Sequence, residues 1–78
     1  MVKLRVMEIL SDRGMTKYRL HQKMQAECGI SYGNFKSMIE NKTSSIKYRN
    51  IELLSKILEC NIGDLFEIVS DPESLENN

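Results

Sequence analysis

Tyr32, Asn34, Lys36 and Ser37 stand close together in the run 32–37, with Gly33 among them. These residue types share one kind of chemistry, which is hydrogen bonding to flat polar edges. An Asn side chain offers a donor and an acceptor side by side and matches adenine. Lys donates to guanine, Ser can pair with either, and Tyr can hydrogen-bond or lay its ring on a thymine methyl. A second group suits phosphate oxygens instead. Lys42, Thr43, Ser44 and Lys47, followed by Arg49, form a polar basic loop, and Thr16, Lys17 and Tyr18 begin a helix. A helix start has unpaired N–H groups and the positive end of the dipole, both of which favour an anion. Arg19 and Lys23 are read as adding only to the general field.

For that chemistry to work, the chain must hold the run 31–41 as a helix with one face outward. A first helix is expected over about Val2–Arg13, with Val6, Ile9 and Leu10 at helical spacing and Gly14 as its C-terminal cap. Thr16 is a good N-cap for a second helix that runs to about Glu27, with Leu20 and Met24 on its inner face; Gly29 breaks it. Ser31 caps the third, whose buried face is Phe35, Met38 and Ile39, and Asn41 ends it because Asn accepts the left-handed conformation. A fourth helix is expected over about Tyr48–Cys60, with Ile51, Leu54, Ile57 and Leu58 as its stripe. A short fifth begins after Asn61 with the run IGDLFEIV. No stretch reads as a strand. The sequence-level expectation is therefore an all-α domain of five short helices over 1–69, followed by a flexible acidic tail over 70–78.

Composition bounds the function. With 78 residues, 41% apolar and 28% charged, the chain makes one domain with a modest core. No apolar run approaches the ~18–20 residues of a membrane span, and Lys3, Arg5 and Glu8 interrupt any signal-peptide core, so a cytoplasmic location is expected. The net charge of zero hides a segregation. Residues 1–50 hold ten basic and four acidic residues, and residues 51–78 hold one basic and seven acidic, giving halves of +6 and −6. A basic half is a footprint for a polyanion.

Cys28 and Cys60 are expected as small buried hydrophobes rather than a disulfide. Together with His21 they lack the four-ligand spacing of a zinc site, and His21 is expected to pack in the seam between helices 2 and 3. No nucleophile–base pair and no phosphate-cradling glycine loop occurs, so no catalysis, cofactor or small-molecule ligand is expected.

The order of motifs resembles the phage Cro and repressor type of helix-turn-helix domain, also called the XRE family. The resemblance rests on Gly14-Met15-Thr16 with Leu20, on Gly29-Ile30-Ser31 with Phe35 and Met38, and on Asn41-Lys42-Thr43. The closing stretch from Ile51 through Leu54, Leu58, Cys60-Asn61 and Gly63-Asp64-Leu65-Phe66 completes it. It covers roughly residues 4–68.

The resemblance implies a compact lambda-repressor-like fold with helix 3 in the major groove of double-stranded DNA. It implies base contacts from Tyr32, Gly33, Lys36 and Ser37, with Asn34 nearer the edge of that face. It also implies phosphate contacts from Thr16, Lys17, Tyr18, Lys42, Thr43, Ser44 and Lys47, and a transcriptional regulator, a repressor in particular, of bacterial or phage origin. Family members usually dimerise. Here helices 4–5 and the C-terminal segment, with Ile62, Leu65, Phe66, Ile68 and Val69, are the expected homodimer contacts.

The chain departs from the family pattern in three places. His21 stands where a small residue is usual, the interval from Leu20 to Gly29 is about four residues longer, and Asn41 replaces a glycine. Two other readings compete: an antitoxin-like protein-binding module using the acidic region 64–76, and a helical domain that kept the fold without binding DNA.

Overall fold

The computed structural model describes residues 1–70, so the expected tail lies outside the described residues except for Ser70. Four α-helices carry the fold: α1 (Val6–Arg13), α2 (Lys17–Cys28), α3 (Tyr32–Ile39) and α4 (Tyr48–Leu58). A single 3₁₀ turn follows at Ile62–Leu65, and two three-residue strands, β1 (Val2–Leu4) and β2 (Phe66–Ile68), bring the two ends of the described chain together.

The helix boundaries follow from local chemistry. Gly14, at φ 65°, closes α1 with its N–H on the carbonyls of Leu10 and Ser11. The Thr16 hydroxyl oxygen accepts the Arg19 N–H at 3.1 Å, and the Ser31 hydroxyl oxygen accepts the Asn34 N–H at 3.2 Å; each satisfies one orphan donor at a helix start. Gly29, at φ 70°, ends α2 with its N–H on the Gln25 carbonyl. α4 ends less comfortably, because Glu59 takes φ 52° with a side chain attached. Arg13, from the last turn of α1, donates to the carbonyls of Leu58 at 2.8 Å and Glu59 at 3.2 Å, and so caps α4 from outside.

Phe35, Leu20, Met24, Ile39, Leu54, Leu58, Leu65 and Val6 form the fully buried core. Every α-helix and the 3₁₀ turn contribute to it. The buried face of α3 is Phe35, Met38 and Ile39, as the spacing predicts. Removing the Phe35 ring would forfeit the ~3–5 kcal/mol typical of an aromatic deleted from a core.

Two expectations are corrected. Among the described residues there are four α-helices, not five, and two short strands. Residues 2–4 pair antiparallel with 66–68, Val2 opposite Ile68, Lys3 opposite Glu67 and Leu4 opposite Phe66. The Arg5 N–H donates to the Leu65 carbonyl at 2.7 Å, and the Val69 N–H to the Met1 carbonyl at 2.8 Å. Those backbone groups are committed across the chain and cannot also serve a helix. The first helix therefore starts at Val6 rather than Val2, and the expected fifth shortens to one turn. Leu65 is fully buried and closes the core, which removes it from the expected dimer contacts.

The strand pair also anchors the end of α3. Asn41 has φ 62°, the conformation that lets the chain turn off the helix. Its side chain forms a two-pronged contact with β1: Oδ1 accepts the Leu4 N–H at 2.7 Å, and Nδ2 donates to the Leu4 carbonyl at 3.1 Å. A glycine would supply the turn but not the fork. Asn41→Ala is expected to lose about 3 kcal/mol in urea unfolding, from two hydrogen bonds at ~1 kcal/mol each plus left-handed strain of ~1 kcal/mol. Asn41→Gly avoids the strain but still loses both hydrogen bonds, and should lose only about 2 kcal/mol. Equal losses for the two variants would contradict this division.

Candidate nucleic-acid interface

The outer face of α3 is the candidate reading surface. Tyr32, Gly33, Asn34 and Lys36 are exposed and Ser37 is half-exposed, while Phe35, Met38 and Ile39 point inward. The helix is short, and its N-terminal end carries most of the hydrogen-bonding side chains, as a helix entering a groove end-first requires. A Cβ at Gly33 would meet no atom within 4 Å, so no intramolecular contact requires the missing side chain; the glycine leaves that part of the surface low.

The expected phosphate residues come from both ends of the helix-turn-helix, and one carboxylate links two of them. Glu40 lies 3.2 Å from Lys42 Nζ and 4.0 Å from Lys17 Nζ. Lys17 begins α2 and Lys42 follows α3, so the fold sets the two lysines on either side of one acid although they are far apart in sequence. Tyr18 is exposed beside Lys17. The Thr16 hydroxyl oxygen is engaged in capping α2, which leaves its hydrogen free to donate. Thr43, Ser44 and Lys47 are exposed in the loop to α4. Thr43 and Lys47 line a cleft shared with Ser31 and Asn34, which brings the loop against the start of α3.

His21 fills the seam between α2 and α3. It is 7% exposed, the one polar residue in the core among the described residues. Its Nε2 lies 3.0 Å from the Ile30 carbonyl in the turn between α2 and α3. A carbonyl only accepts, so Nε2 carries the hydrogen and donates. The ring meets Tyr32 edge-on at 5.2 Å and 80°, and tilts against Phe35 at 5.1 Å. Such aromatic geometry contributes about 0.5–1.5 kcal/mol per pair beyond burial. Where a small residue would bring the helices close, the imidazole fills the gap, ties down the turn and supports one edge of Tyr32. The longer interval to Gly29 is taken up by α2 itself, which continues unbroken to Cys28.

Other basic residues serve elsewhere. Arg49 is exposed and donates one N–H to the Glu27 carbonyl at 2.6 Å, and so caps α2. Arg19 and Lys23 line a shallow cleft between α2 and α4 to which no α3 residue contributes. The Cys28 thiol donates to Asn50 Oδ1 at 3.7 Å, and both cysteines are free and half-buried. Burial, with Asp64 adding to it, pushes the Cys60 thiol above its ordinary range, which keeps it protonated. Among the described residues, no group of three His, Cys, Asp or Glu is placed to hold a metal ion, and no helix is long and apolar enough to cross a membrane. The roles of Glu40, Arg13 and Arg49 were missed from sequence; they depend on contacts between distant segments that no local pattern encodes.

A family model described as a Cro/C1-type HTH DNA-binding domain matches residues 5–71. No curated protein and no solved structure gives a significant match.

Two outcomes are expected from this geometry. Glu40→Gln frees Lys17 and Lys42, so it should tighten binding to any duplex and steepen the slope of log K against log salt by up to about one unit, read by fluorescence anisotropy. His21→Ala should lose about 2 kcal/mol in urea unfolding. It should also reduce the preference for cognate over random duplex more than the affinity for random duplex. His21→Phe retains the ring against Tyr32 and should recover more of that preference than His21→Gln, which retains only a donor.

Proposed function

This chain belongs to the Cro/C1-type helix-turn-helix DNA-binding family, and from that premise we propose a sequence-specific transcriptional regulator, a repressor in particular, that sets α3 in the major groove. One observation carries the reading. The exposed face of α3 presents Tyr32, Asn34, Lys36 and Ser37 while lysines flank the helix at Lys17 and Lys42. Base edges and phosphates need those two sets of groups in that arrangement.

Roles divide accordingly. Tyr32, Gly33, Lys36 and Ser37 face base edges, and Asn34 sits at the border of that face near the loop. Thr16, Lys17 and Tyr18 hold the backbone on one side of the groove, and Lys42, Thr43, Ser44 and Lys47 hold it on the other. Phosphate contacts set register and most of the affinity, and the α3 side chains set the sequence. A repressor acts by occupancy, so DNA binding alone would suffice for it.

One short helix reads only a few base pairs, so useful affinity calls for two copies on adjacent half-sites. The homodimer contacts expected from helices 4–5 reduce, once Leu65 is in the core, to the C-terminal strand and its neighbours, where Ile68 and Ile62 are exposed. Of the acidic region read as an antitoxin-like partner surface, Asp64 and Glu67 belong to the described residues; Asp71, Glu73 and Glu76 lie outside them.

Binding to the duplex upstream of its own coding sequence, titrated against salt, tests the function. Specific binding is expected, together with a linear fall of log K with log salt. Lys42→Ala should weaken binding on every sequence and flatten the slope by about one unit, and Lys36→Ala should lower discrimination between sequences by ~1–3 kcal/mol. No binding at low salt would leave a fold without the function.

A further inference from the structure

We infer that the bare surface at Gly33 seats a methyl group of the DNA. The group is the 5-methyl of a pyrimidine, carried by thymine in unmodified DNA, and it rests on the glycine Cα. The inference deepens the proposed function and rests on it, because it takes α3 to lie in the major groove. It names what one position of the reading surface selects.

The fold gives no reason for a glycine there. Among the described residues, Gly33 is the one glycine inside an α-helix. Gly14 and Gly29 end helices at φ 65° and 70°, a conformation that side chains disfavour, whereas Gly33 has no positive φ. A Cβ built on Gly33 meets nothing within 4 Å, so no neighbouring element needs the space. Alanine would fit and would favour the helix, since glycine ranks below every residue but proline as a helix former. A gap that the fold neither needs nor fills is accounted for by something outside the chain that approaches the backbone closely.

Its direction matters as well. Successive residues of an α-helix are turned by about 100°. On that wheel the buried face of α3, Phe35, Met38 and Ile39, centres roughly 190° from Gly33. Gly33 is therefore the residue of α3 that points most directly away from the core. It also lies in the first turn, which meets base edges first when a helix enters a groove by its N-terminal end. Lys36 and Ser37 follow at three and four positions and stand on either side of it. Side chains on a helix lean toward its N-terminus, so these two overhang the turn that holds Gly33. The Lys36 methylenes and the Ser37 Cβ then wall the gap, and the Gly33 Cα is its floor. Lys36 is exposed and forms no ion pair among the described residues, so its ammonium can reach a neighbouring base edge while its stem stays at the gap.

Chemistry selects the occupant. A gap floored by a Cα has no side-chain donor or acceptor at its base, so a polar base edge pressed into it would lose water without gaining a bond. Among the groups displayed in the major groove, the C5-methyl of thymine is the apolar one. It is the size of the Cβ that glycine lacks, so a methyl on the base takes the place of a methyl on the protein. Burying one such group is worth about fourfold in affinity. Tyr32 can also touch a methyl, but its ring packs on His21 and Phe35, on the flank of α3 nearer the core.

A cycle of changes on protein and DNA tests this. The probe is the tightest duplex that the parent protein selects from a random pool, with each thymine replaced singly by deoxyuridine, which lacks only the methyl. Affinities are read by fluorescence anisotropy. One thymine is expected whose replacement weakens the parent about fourfold. Gly33→Ala should unfold at higher urea than the parent, so a loss of binding is not a loss of fold. It should bind random duplex as the parent does and the selected duplex about tenfold more weakly, because the added methyl overpacks the contact. At the sensitive position, deoxyuridine should help Gly33→Ala where it harms the parent, a change of sign that marks direct contact. 5-Methylcytosine carries the same methyl. Compared with cytosine at that pair, a gain equal to that of thymine over deoxyuridine means that the methyl alone is read, and no gain means that the thymine O4 is read with it. Two results overturn the inference while the proposed regulator stands: a parent indifferent to deoxyuridine at every position, or a deoxyuridine effect of the same sign and size in Gly33→Ala. A pool from which the parent selects no sequence overturns both.

Discussion

The two-pronged contact between Asn41 and the Leu4 backbone is the constraint on which the rest of the structure depends. α3 is too short to hold its own orientation, because an isolated helix of this length is marginal in water. It needs its end fixed. Asn41 fixes it twice: its backbone takes the left-handed conformation that stops the helix, and its amide bonds to β1 as a neighbouring strand would. The same bonds satisfy the outward N–H and carbonyl of Leu4, one of the buried residues of the core. One side chain thus joins the exit of the candidate reading helix to the strand pair that closes the chain.

The other end of α3 is held by different means. Ser31 caps it, and His21 bonds the turn before it while supporting Tyr32 and Phe35. Between these two anchors the buried face of Phe35, Met38 and Ile39 supplies the non-directional burial energy, and the polar contacts supply the direction. Glu40 then holds Lys17 and Lys42, the lysines proposed to meet phosphates, on either side of one competing carboxylate. A nearby carboxylate lowers the affinity that two unpaired lysines would give, and it orients both side chains before binding.

Local features were legible in the sequence because they are encoded within a few residues. Thr16 and Ser31 cap helices by bonding an N–H three positions on. Gly14, Gly29 and Asn41 mark the left-handed ends, and the spacing of Phe35, Met38 and Ile39 marks the buried face of α3. The strands were not legible, since three residues are too few to show an alternating pattern. The run 62–69 carried an apolar pattern compatible with a helix, and its conversion to one 3₁₀ turn and a strand depends on Met1–Arg5 arriving from the far end of the chain. The candidate site was legible as a set of residues on a predicted helix face. The pairing of Lys17 with Lys42 around Glu40 was not, and neither was the use of Arg49 on the Glu27 carbonyl.

By itself the sequence marked the helical runs that became α1 to α4, the caps at Gly14, Thr16, Gly29 and Ser31, the inward faces and the segregation of charge between the two halves, because helix signals act over three or four residues; the fifth helix it also suggested is one 3₁₀ turn and a strand. Tertiary structure alone decided what closes the ends, what seats α3 and which cations remain free. Those outcomes depend on backbone groups finding partners far along the chain: Leu4 with Asn41, Arg5 with Leu65, Arg13 with Leu58. A buried N–H or carbonyl takes whichever partner folding brings within reach, and no local pattern records that choice.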